Sequence, residues 1–502
     1  MSSIEQAEQH IAQGEYYLAE QIFTALTHNR PTSKETGYAY MGLGKLALIS
    51  KKADQAVELF SQSCEFLAGD VKPLSLLADA FNMANAAEDA LTVLNYANQI
   101  VPASPQLRYQ LAQQQILMGE LQQAKSHLLL AVEAIELTHN EDLTQLSFEE
   151  ITIYCHCLLS LSQLISAADS GEQLLDKAIK LKQLCDKVHN DTGELTRAWI
   201  VLNYSLGNLF DHNRDYRQAF SHYQQANSLQ YQGCSVSTTE LAAYFHSIKT
   251  FVDADAISIR SDRDFDIIPI FLLGLPCTGS NLLEQLLVNH RQIGSAGECD
   301  YLNDNVLSLA YKLTAKHYPR CISDLTQQQL DDLGELYLTK LKQYVNPEFD
   351  TKAISGHHQI FHPEITHIID RLPENFQTIG LIYKLFPNAK IINMTRCPKA
   401  VSWSIYQHYF ANSAPHLCCQ DAFTLYCREY EKLMEHWRQA APGVVLDLSY
   451  ESLVAEPAEQ LKRVLTFCQL PFDDTLLMQM QAVISPTDKT ENVNWQHYQH
   501  FR

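Results

Sequence analysis

The stretch "FLLGLPCTGSNLLEQLL", from Phe271 to Leu287, joins an apolar run, a glycine-containing turn and an amphipathic helical pattern. A buried strand that leads through a tight turn into a helix is the layout of a phosphate-binding loop. Gly274 and Gly279 have the Gly-x4-Gly spacing of a Walker A loop. The next two residues are Ser280 and Asn281, where a nucleotide hydrolase carries Lys and then Ser or Thr. The sequence therefore predicts an anion site that lacks the lysine needed for ATP or GTP hydrolysis.

The chain around this loop has the pattern of an α/β domain. The preceding run "DIIPIFLLGL" is continuously apolar, as in a parallel strand buried on both faces. Two later runs, "AKIINMTR" from Ala389 to Arg396 and "VVLDLSY" from Val444 to Tyr450, are each followed by a helical pattern. We therefore expect a parallel sheet flanked by helices, with its ligands at the carboxyl ends of the strands.

Length, charge and cysteine usage limit the class of protein. The 502 residues, 46% of them apolar, exceed one ordinary domain. The formal net charge of −21 opposes nucleic acid and anionic lipid as partners. The chain has no apolar run of membrane-spanning length, and the 13 cysteines include no CxxC pair. These features favour a cytoplasmic protein with reduced cysteines and no metal site; for the pair His357 and His358, a structural role is the preferred interpretation.

The first part of the chain repeats with a period of 34 residues. Each of three units has a small residue, then an alanine 12 positions later, then a large apolar residue four positions after the alanine. In chain order the three units are Gly44, Ala56 and Phe60; Ala78, Ala90 and Leu94; and Ala112, Ala124 and Leu128. A period of 34 with small residues where two helices meet resembles tetratricopeptide repeats. We therefore expect stacked helical hairpins, whose alanines and aromatics pack helix against helix.

The same patterns set the expected domain boundaries. We predict repeats over 1–137, degenerate helical hairpins over 138–230 that end in a repeat unit at about 199–230, a helical connector over 231–265 and the α/β domain over 266–502. Stacked hairpins can offer a concave surface to a protein or peptide, or form a homodimer contact, and the sequence leaves this choice open.

Three segments of the α/β domain resemble the sulfotransferase family, in particular bacterial proteins that join tetratricopeptide repeats to a sulfotransferase domain. They are "PIFLLGLPCTGSNLLEQLLVNHRQIGSAGE", "IIDRLPENFQTIGLIYKLFPNAKIINMTRCPKAVSWSIYQHYF" and "LSYESLVAEPAEQLKRVLTFCQLPFD". The first shares with the family Pro276, Gly279, Leu282, Leu283, Glu284, Gln285, His290, Gly297 and Glu298. The segments occur in the family's order, after the repeats.

The resemblance implies a cofactor, PAPS (3'-phosphoadenosine 5'-phosphosulfate), and an acceptor hydroxyl. The loop residues expected to cradle the 5'-phosphate are Cys277, Thr278, Gly279, Ser280 and Asn281. The resemblance assigns the 3'-phosphate to Arg396 and Ser404, and Arg suits this role because its planar fork binds phosphate oxygens. If the family resemblance is set aside, the position of Arg396 at the end of a strand is equally consistent with a surface ion pair.

The remaining roles concern the transferred group. Glu298, in "SAGE", is the candidate base for the acceptor hydroxyl, although by itself it also fits a solvated glutamate. Arg371 stands where the family usually has Lys, a residue that the resemblance implies stabilises the sulfuryl group. At Cys277 the family has Arg or Lys, and Asn281 replaces a threonine. The loop therefore lacks a positive charge, and loss of such a charge commonly costs about a hundredfold in rate.

Two functions of different class are consistent with these residues. The first is a PAPS-dependent sulfotransferase that modifies a protein or peptide, with tyrosine among the candidate acceptors, or a small molecule or glycan. The second is a tetratricopeptide adaptor whose sulfotransferase-like domain binds partners, with or without the nucleotide, but does not catalyse transfer. Glu298, Arg371, Arg396 and Ser404 favour the enzyme, while Cys277 favours the adaptor.

Overall fold

The structure is a computed structural model that describes residues 3–29, 34–84, 86–139, 143–165, 171–188, 193–234, 237–345, 364–411, 414–472 and 476. These residues divide into two compact units, residues 1–222 and 223–502. His357 and His358 lie outside the described residues.

The part of the chain before the first strand is helical in its described residues. The helices are Ser3–Ala12 (α1), Tyr16–Asn29 (α2), Lys34–Ile49 (α3), Ala53–Phe66 (α4), Val71–Met83 (α5), Ala87–Ile100 (α6), Pro105–Leu117 (α7), Leu121–Thr138 (α8), Phe148–Gln163 (α9), Glu172–Val188 (α10), Gly193–His212 (α11), Tyr216–Gln232 (α12) and Thr238–Phe251 (α13). Several begin at side-chain caps; the Ser104 hydroxyl, for example, accepts the Leu107 N–H at 3.3 Å, directly before Pro105.

The 34-residue period is confirmed as a set of helix-packing positions. Ala56, Ala90 and Ala124 are each fully buried, on α4, α6 and α8. A Cβ added to Gly44 of α3 would lie 2.6 Å from Cε1 of the Phe60 ring on α4, so the glycine makes room for this ring. The sequence-predicted helical repeat region is therefore present as successive helical hairpins.

The second unit is built on a sheet. Its strands are Ile268–Gly274 (β1), Ile293–Ser295 (β2), His367–Asp370 (β3), Lys390–Thr395 (β4) and Val445–Ser449 (β5). The α-helices that follow β1 in the described residues are Ser280–Leu287 (α14), Leu307–Thr314 (α15), Gln327–Val345 (α16), Ile379–Leu385 (α17), Pro398–Gln407 (α18), Pro415–Cys418 (α19), Gln420–Ala440 (α20), Tyr450–Ala455 (α21) and Pro457–Phe467 (α22).

The five strands form one parallel sheet in the order β2-β3-β1-β4-β5. Phe271 and Leu273 of β1 belong to the core on one face, while Ile270 and Leu272 belong to the core on the other. Burial on both faces explains why this strand reads as an unbroken apolar run. The expected α/β fold is thus confirmed, and all the strands end at the same edge of the sheet.

Candidate functional site

Four of the five strands end within three residues of a candidate residue. The loop with Cys277 follows β1, Glu298 follows β2, Arg371 follows β3 and Arg396 follows β4. Because parallel strands end at one edge, residues separated by more than a hundred positions in sequence are brought to the same side of the domain.

The loop between β1 and α14 depends on two glycines. Gly274 has φ +143° and Gly279, at the N-cap of α14, has φ +96°, and side-chain-bearing residues rarely adopt either conformation. A Cβ on Gly274 would lie 2.5 Å from the Met394 carbonyl oxygen, and one on Gly279 would lie 2.3 Å from Cδ2 of Tyr450. The backbone of the loop is therefore held closely against β4 and the start of α21.

The other loop residues differ in what they can offer a ligand. Thr278 is 2% exposed, and its hydroxyl donates to the Leu275 carbonyl at 2.7 Å, so the hydroxyl faces into the loop. Ser280 and Asn281 form the first turn of α14, where backbone N–H groups have no partner within the helix. Cys277 has φ +61°, which is unusual for a residue other than glycine, and its thiol is half-buried. The loop can thus offer backbone N–H groups and the Ser280 hydroxyl to an anion.

Arg396 links the loop to α18. Its Nη1 donates to the Cys277 carbonyl at 3.0 Å and to the Ser404 hydroxyl at 3.5 Å. The guanidinium carbon lies 4.5 Å from the ring centre of Tyr450, in a cation–π contact. The structure therefore brings together Arg396, Ser404 and the loop. Tyr450 supports both Gly279 and Arg396, and the sequence patterns gave no role to it.

Glu298 and Arg371 form an ion pair. Nη1 of Arg371 donates to Oε1 of Glu298 at 2.6 Å, and Nε donates to Oε2 of Glu284 at 2.5 Å. The Glu298 side chain is 54% exposed, while that of Glu284 is 12% exposed and also accepts from the Ser295 hydroxyl. Glu284 thus anchors Arg371 to α14 from the buried side, and Glu298 faces solvent.

The surroundings of this pair are acidic. Burial raises the pKa of the Glu374 carboxyl, and the neighbouring charges of Glu298 and Asp300 raise it further. Glu374 lies three residues after Arg371, in a short 3₁₀ segment, Pro373–Thr378. Glu298 therefore lies close to the carboxylates of Asp300 and Glu374.

Two negative findings apply to the ranges of residues that the structure describes. None of the helices in these ranges is both long enough and apolar enough to span a membrane. Within the same ranges, no group of three or more His, Cys, Asp or Glu side chains is arranged to hold a metal ion.

The sequence profile of the sulfotransferase family matches residues 269–474. An uncharacterized protein of Aquifex aeolicus is 29% identical over 285 residues, which are 55% of this chain and 35% of that protein. The protein-tyrosine sulfotransferase A of Caenorhabditis elegans is 22% identical over 282 residues, 53% of this chain and 65% of that protein. The chain thus spans less than two thirds of the length of either relative.

Among solved structures, the sulfotransferase domain from the curacin biosynthetic pathway is 16% identical and covers 43% of this chain and 78% of its own, with a TM-score of 0.27. The family assignment depends on the profile match together with the parallel sheet and the loop that follows its first strand. Residues 269–474 therefore match the sulfotransferase family, and in this chain they follow a region of helical hairpins with the 34-residue period of tetratricopeptide repeats.

Proposed function

We propose that this protein is a PAPS-dependent sulfotransferase that moves a sulfuryl group onto a hydroxyl of a protein or peptide, with tyrosine as the first acceptor to test. The observation that carries the proposal is the 2.6 Å pairing of Arg371 with Glu298 at the sheet edge that also holds the loop and Arg396. The relatives named as protein-tyrosine sulfotransferases support the acceptor class. Small molecules and glycans remain alternative acceptors.

The residues at the ends of β1 and β4 suit a nucleotide with two phosphate groups. The first turn of α14 offers N–H groups to the 5'-phosphate, and Gly274 and Gly279 allow the close turn that aims them. Arg396 and Ser404, 3.5 Å apart, offer a fork and a hydroxyl to the 3'-phosphate. When bound, PAPS supplies an activated sulfuryl group, and PAP (3'-phosphoadenosine 5'-phosphate) is its desulfated product.

The proposed acceptor step uses both oxygens of Glu298. Oε1 of Glu298 accepts a hydrogen bond from Arg371, which leaves Oε2 to take the proton of the acceptor hydroxyl. The proton leaves as the hydroxyl oxygen forms its bond to sulfur. The bond between sulfur and the 5'-phosphate oxygen breaks in the same transfer. With PAPS bound, Arg371 would stabilise the negative charge that develops on the transferred group, while Glu284 holds the guanidinium in place.

Cys277 supports a second candidate, an adaptor whose domain does not catalyse transfer. The thiol occupies the loop position where the resemblance implies Arg or Lys, and a neutral group at this position cannot stabilise charge. This candidate shares the fold and the partner-binding repeats with the enzyme, and the two differ only in transfer activity.

Calorimetric titration with PAP tests the cofactor site. We expect micromolar binding by the intact protein and at least about tenfold weaker binding by Arg396→Ala, because charge-assisted bonds to phosphate are lost. Arg291→Ala is the matched control, since Arg291 forms an exposed ion pair with Glu364 away from this edge. Absence of PAP binding by the folded protein would contradict the proposal.

A transfer assay then separates the two candidates. With labelled PAPS and tyrosine peptides, the enzyme transfers label, and Glu298→Gln lowers kcat by about a hundredfold because the base is lost. PAP binding by this variant is expected to stay unchanged. Binding of PAP without transfer to any acceptor class would favour the adaptor.

A further inference from the structure

Glu451, in the first turn of α21, uses both of its carboxylate oxygens. Oε1 accepts the N–H of Cys397 at 2.8 Å, and Oε2 accepts the hydroxyl of Ser449 at 2.9 Å. The Ser449 hydroxyl in turn accepts the Ser452 N–H at 3.2 Å, as the N-cap of α21. The carboxylate therefore joins the start of α21, after β5, to the backbone that follows β4.

This contact lies directly beyond the last paired residues of two neighbouring strands. β4 and β5 are parallel, and their pairing ends with Thr395 opposite Ser449. Cys397 lies two residues after Thr395 and is the N-cap of α18. Glu451 thus continues the contact between the two chains past the sheet, at the point where the chain leaves β4 and enters α18.

The segment that Glu451 holds carries both residues proposed for the 3'-phosphate. Arg396 lies immediately before Cys397, and Ser404 is on α18, the helix that Cys397 caps. The guanidinium carbon of Arg396 lies 4.5 Å from the ring centre of Tyr450, the residue before Glu451. Two consecutive residues at the start of α21 therefore hold the Arg396 side chain and the backbone that follows it.

A carboxylate next to a phosphate site has an electrostatic cost, because its negative charge opposes the binding of an anion. A glutamine would avoid this cost, but its amide has one acceptor oxygen, and its NH₂ group cannot accept a hydrogen bond. It could not accept both the Cys397 N–H and the Ser449 hydroxyl. The property that only the glutamate supplies here is a pair of acceptors, one for each segment.

We propose that Glu451 is a positioning residue for the 3'-phosphate site: by binding the Cys397 N–H it fixes the start of α18, and so presets Arg396 for the phosphate. The affinity part of this proposal rests on the function proposed above, because that function places the 3'-phosphate at Arg396. The structural part, that Glu451 orders the segment after β4, does not depend on any ligand.

The test measures the affinity of the full-length protein for PAP and for adenosine 5'-phosphate, which lacks the 3'-phosphate, by calorimetric titration. We expect Glu451→Ala to bind PAP about three- to tenfold more weakly, because Arg396 must then be ordered as the nucleotide binds. Its affinity for adenosine 5'-phosphate should stay within about twofold. Glu459→Gln, at an exposed position of α22, removes the same charge and should change neither affinity.

The direction of the change and a double variant separate positioning from other effects. If the carboxylate acted only through its charge, Glu451→Ala would bind PAP more tightly. When Arg396→Ala is already present, adding Glu451→Ala should lower the affinity for PAP by less than about twofold, since the side chain that it positions is gone. Unchanged or tighter PAP binding by a folded Glu451→Ala protein, or an undiminished loss in the absence of Arg396, would overturn the proposal.

Backbone hydrogen exchange gives a readout that requires neither activity nor nucleotide. In Glu451→Ala, the Cys397 amide should exchange at least about tenfold faster, while Glu459→Gln should leave it nearly unchanged. Unchanged exchange of this amide in a folded Glu451→Ala protein would contradict the structural part. If Glu451→Ala does not fold, Glu451→Leu, which has a similar length and no acceptor, replaces it under the same criteria.

These readouts separate the two proposals. A folded, unmodified protein that binds no PAP would refute the proposed function and the affinity part of this inference, while exchange at Cys397 would still decide whether Glu451 orders the segment. A protein that binds PAP through Arg396 but is unaffected by Glu451→Ala would refute the positioning role and leave the proposed function intact.

Discussion

At position 277 the loop has a thiol at a backbone conformation that few side chains adopt. The carbonyl of Cys277 already accepts from Arg396, so its backbone takes part in the proposed cofactor site although its side chain has no charge. Substitutions at residue 277 can therefore separate the effect of side-chain charge on transfer from the effect of the loop's backbone geometry.

We predict that Cys277→Arg increases transfer. A guanidinium at the loop would stabilise the charge that develops at the sulfuryl group and the 5'-phosphate, and kcat should rise about ten- to a hundredfold. Steady-state kinetics with saturating PAPS measures the effect. Cys277→Met, which adds length without charge, is the control and should not raise kcat. Equal rates for Cys277→Arg and the unmodified protein would show that Arg371 alone supplies the positive charge.

The sequence predicted that the loop and Arg396 follow strands, but it did not predict which of the candidate residues contact one another. Glu298, Arg371 and Arg396 were recognised through the family resemblance and the strand pattern. The bonds of Arg371 to Glu284 and Glu298 depend on β2 lying beside β3, which is a property of strand order. β2 has three residues and β3 has four, and strands this short show no recognisable hydrophobic periodicity in the sequence. Neither strand, nor the pairing between them, was therefore predicted.

Among the elements, the repeats carry a packing rule that connects two positions. In one unit the second helix has the large residue Phe60, and the first helix has Gly44. In the next two units the second helix has the smaller Leu94 or Leu128, and the first helix has Ala78 or Ala112, respectively. A Cβ at Gly44 would lie 2.6 Å from the Phe60 ring, so the small residue and the ring are matched in size.

We predict that Gly44→Ala destabilises the helical region, and that adding Phe60→Leu restores part of the loss. The single change forces the ring from its site and should cost about 1–3 kcal/mol. The double variant reproduces the alanine and leucine of the next two units, so its free energy of unfolding should exceed that of Gly44→Ala. Urea unfolding followed by circular dichroism measures both. A double variant less stable than either single variant would contradict the packing rule.

The helical repeats were predictable because their rule is local. Each unit repeats small residues at fixed offsets, and each hairpin contacts mainly the next one along the chain. The sheet does not follow such a local rule. β1 lies between β3 and β4, and both of these strands are distant from β1 in sequence. Pattern alone therefore located three strands and the loop, while the order of the sheet required the structure.

At the scale of the whole molecule, the net charge of −21 acts in the same direction as the carboxylates near Glu298. Glu298 and Asp300 lie close enough to Glu374 for their charges to raise the pKa of its carboxyl further above the value that burial gives it. A negatively charged acceptor would approach against both the overall field and these nearby charges.

We predict that, if the protein transfers to tyrosine peptides, peptides with Lys beside the tyrosine are better acceptors than peptides with Asp or Glu. The ratio of their kcat/KM values should be about tenfold at low ionic strength and should fall with added salt. Asp300→Asn, which removes one charge near the site, should reduce the ratio, whereas Glu435→Gln, on α20, should not. A preference for acidic peptides would show that Arg371 and Arg396, and not the carboxylates, determine the electrostatic potential that the acceptor meets.

The position of residue 277, after β1 has ended and before α14 begins, also bears on how this domain changes over generations. A cysteine codon becomes an arginine codon by a single-nucleotide substitution. The strands that hold the loop contribute their fully buried residues to the two cores, whereas Cys277 is only partly buried and packs against one of them. Mutation can therefore alter the charge of the loop in one step while selection on folding continues to act on other positions.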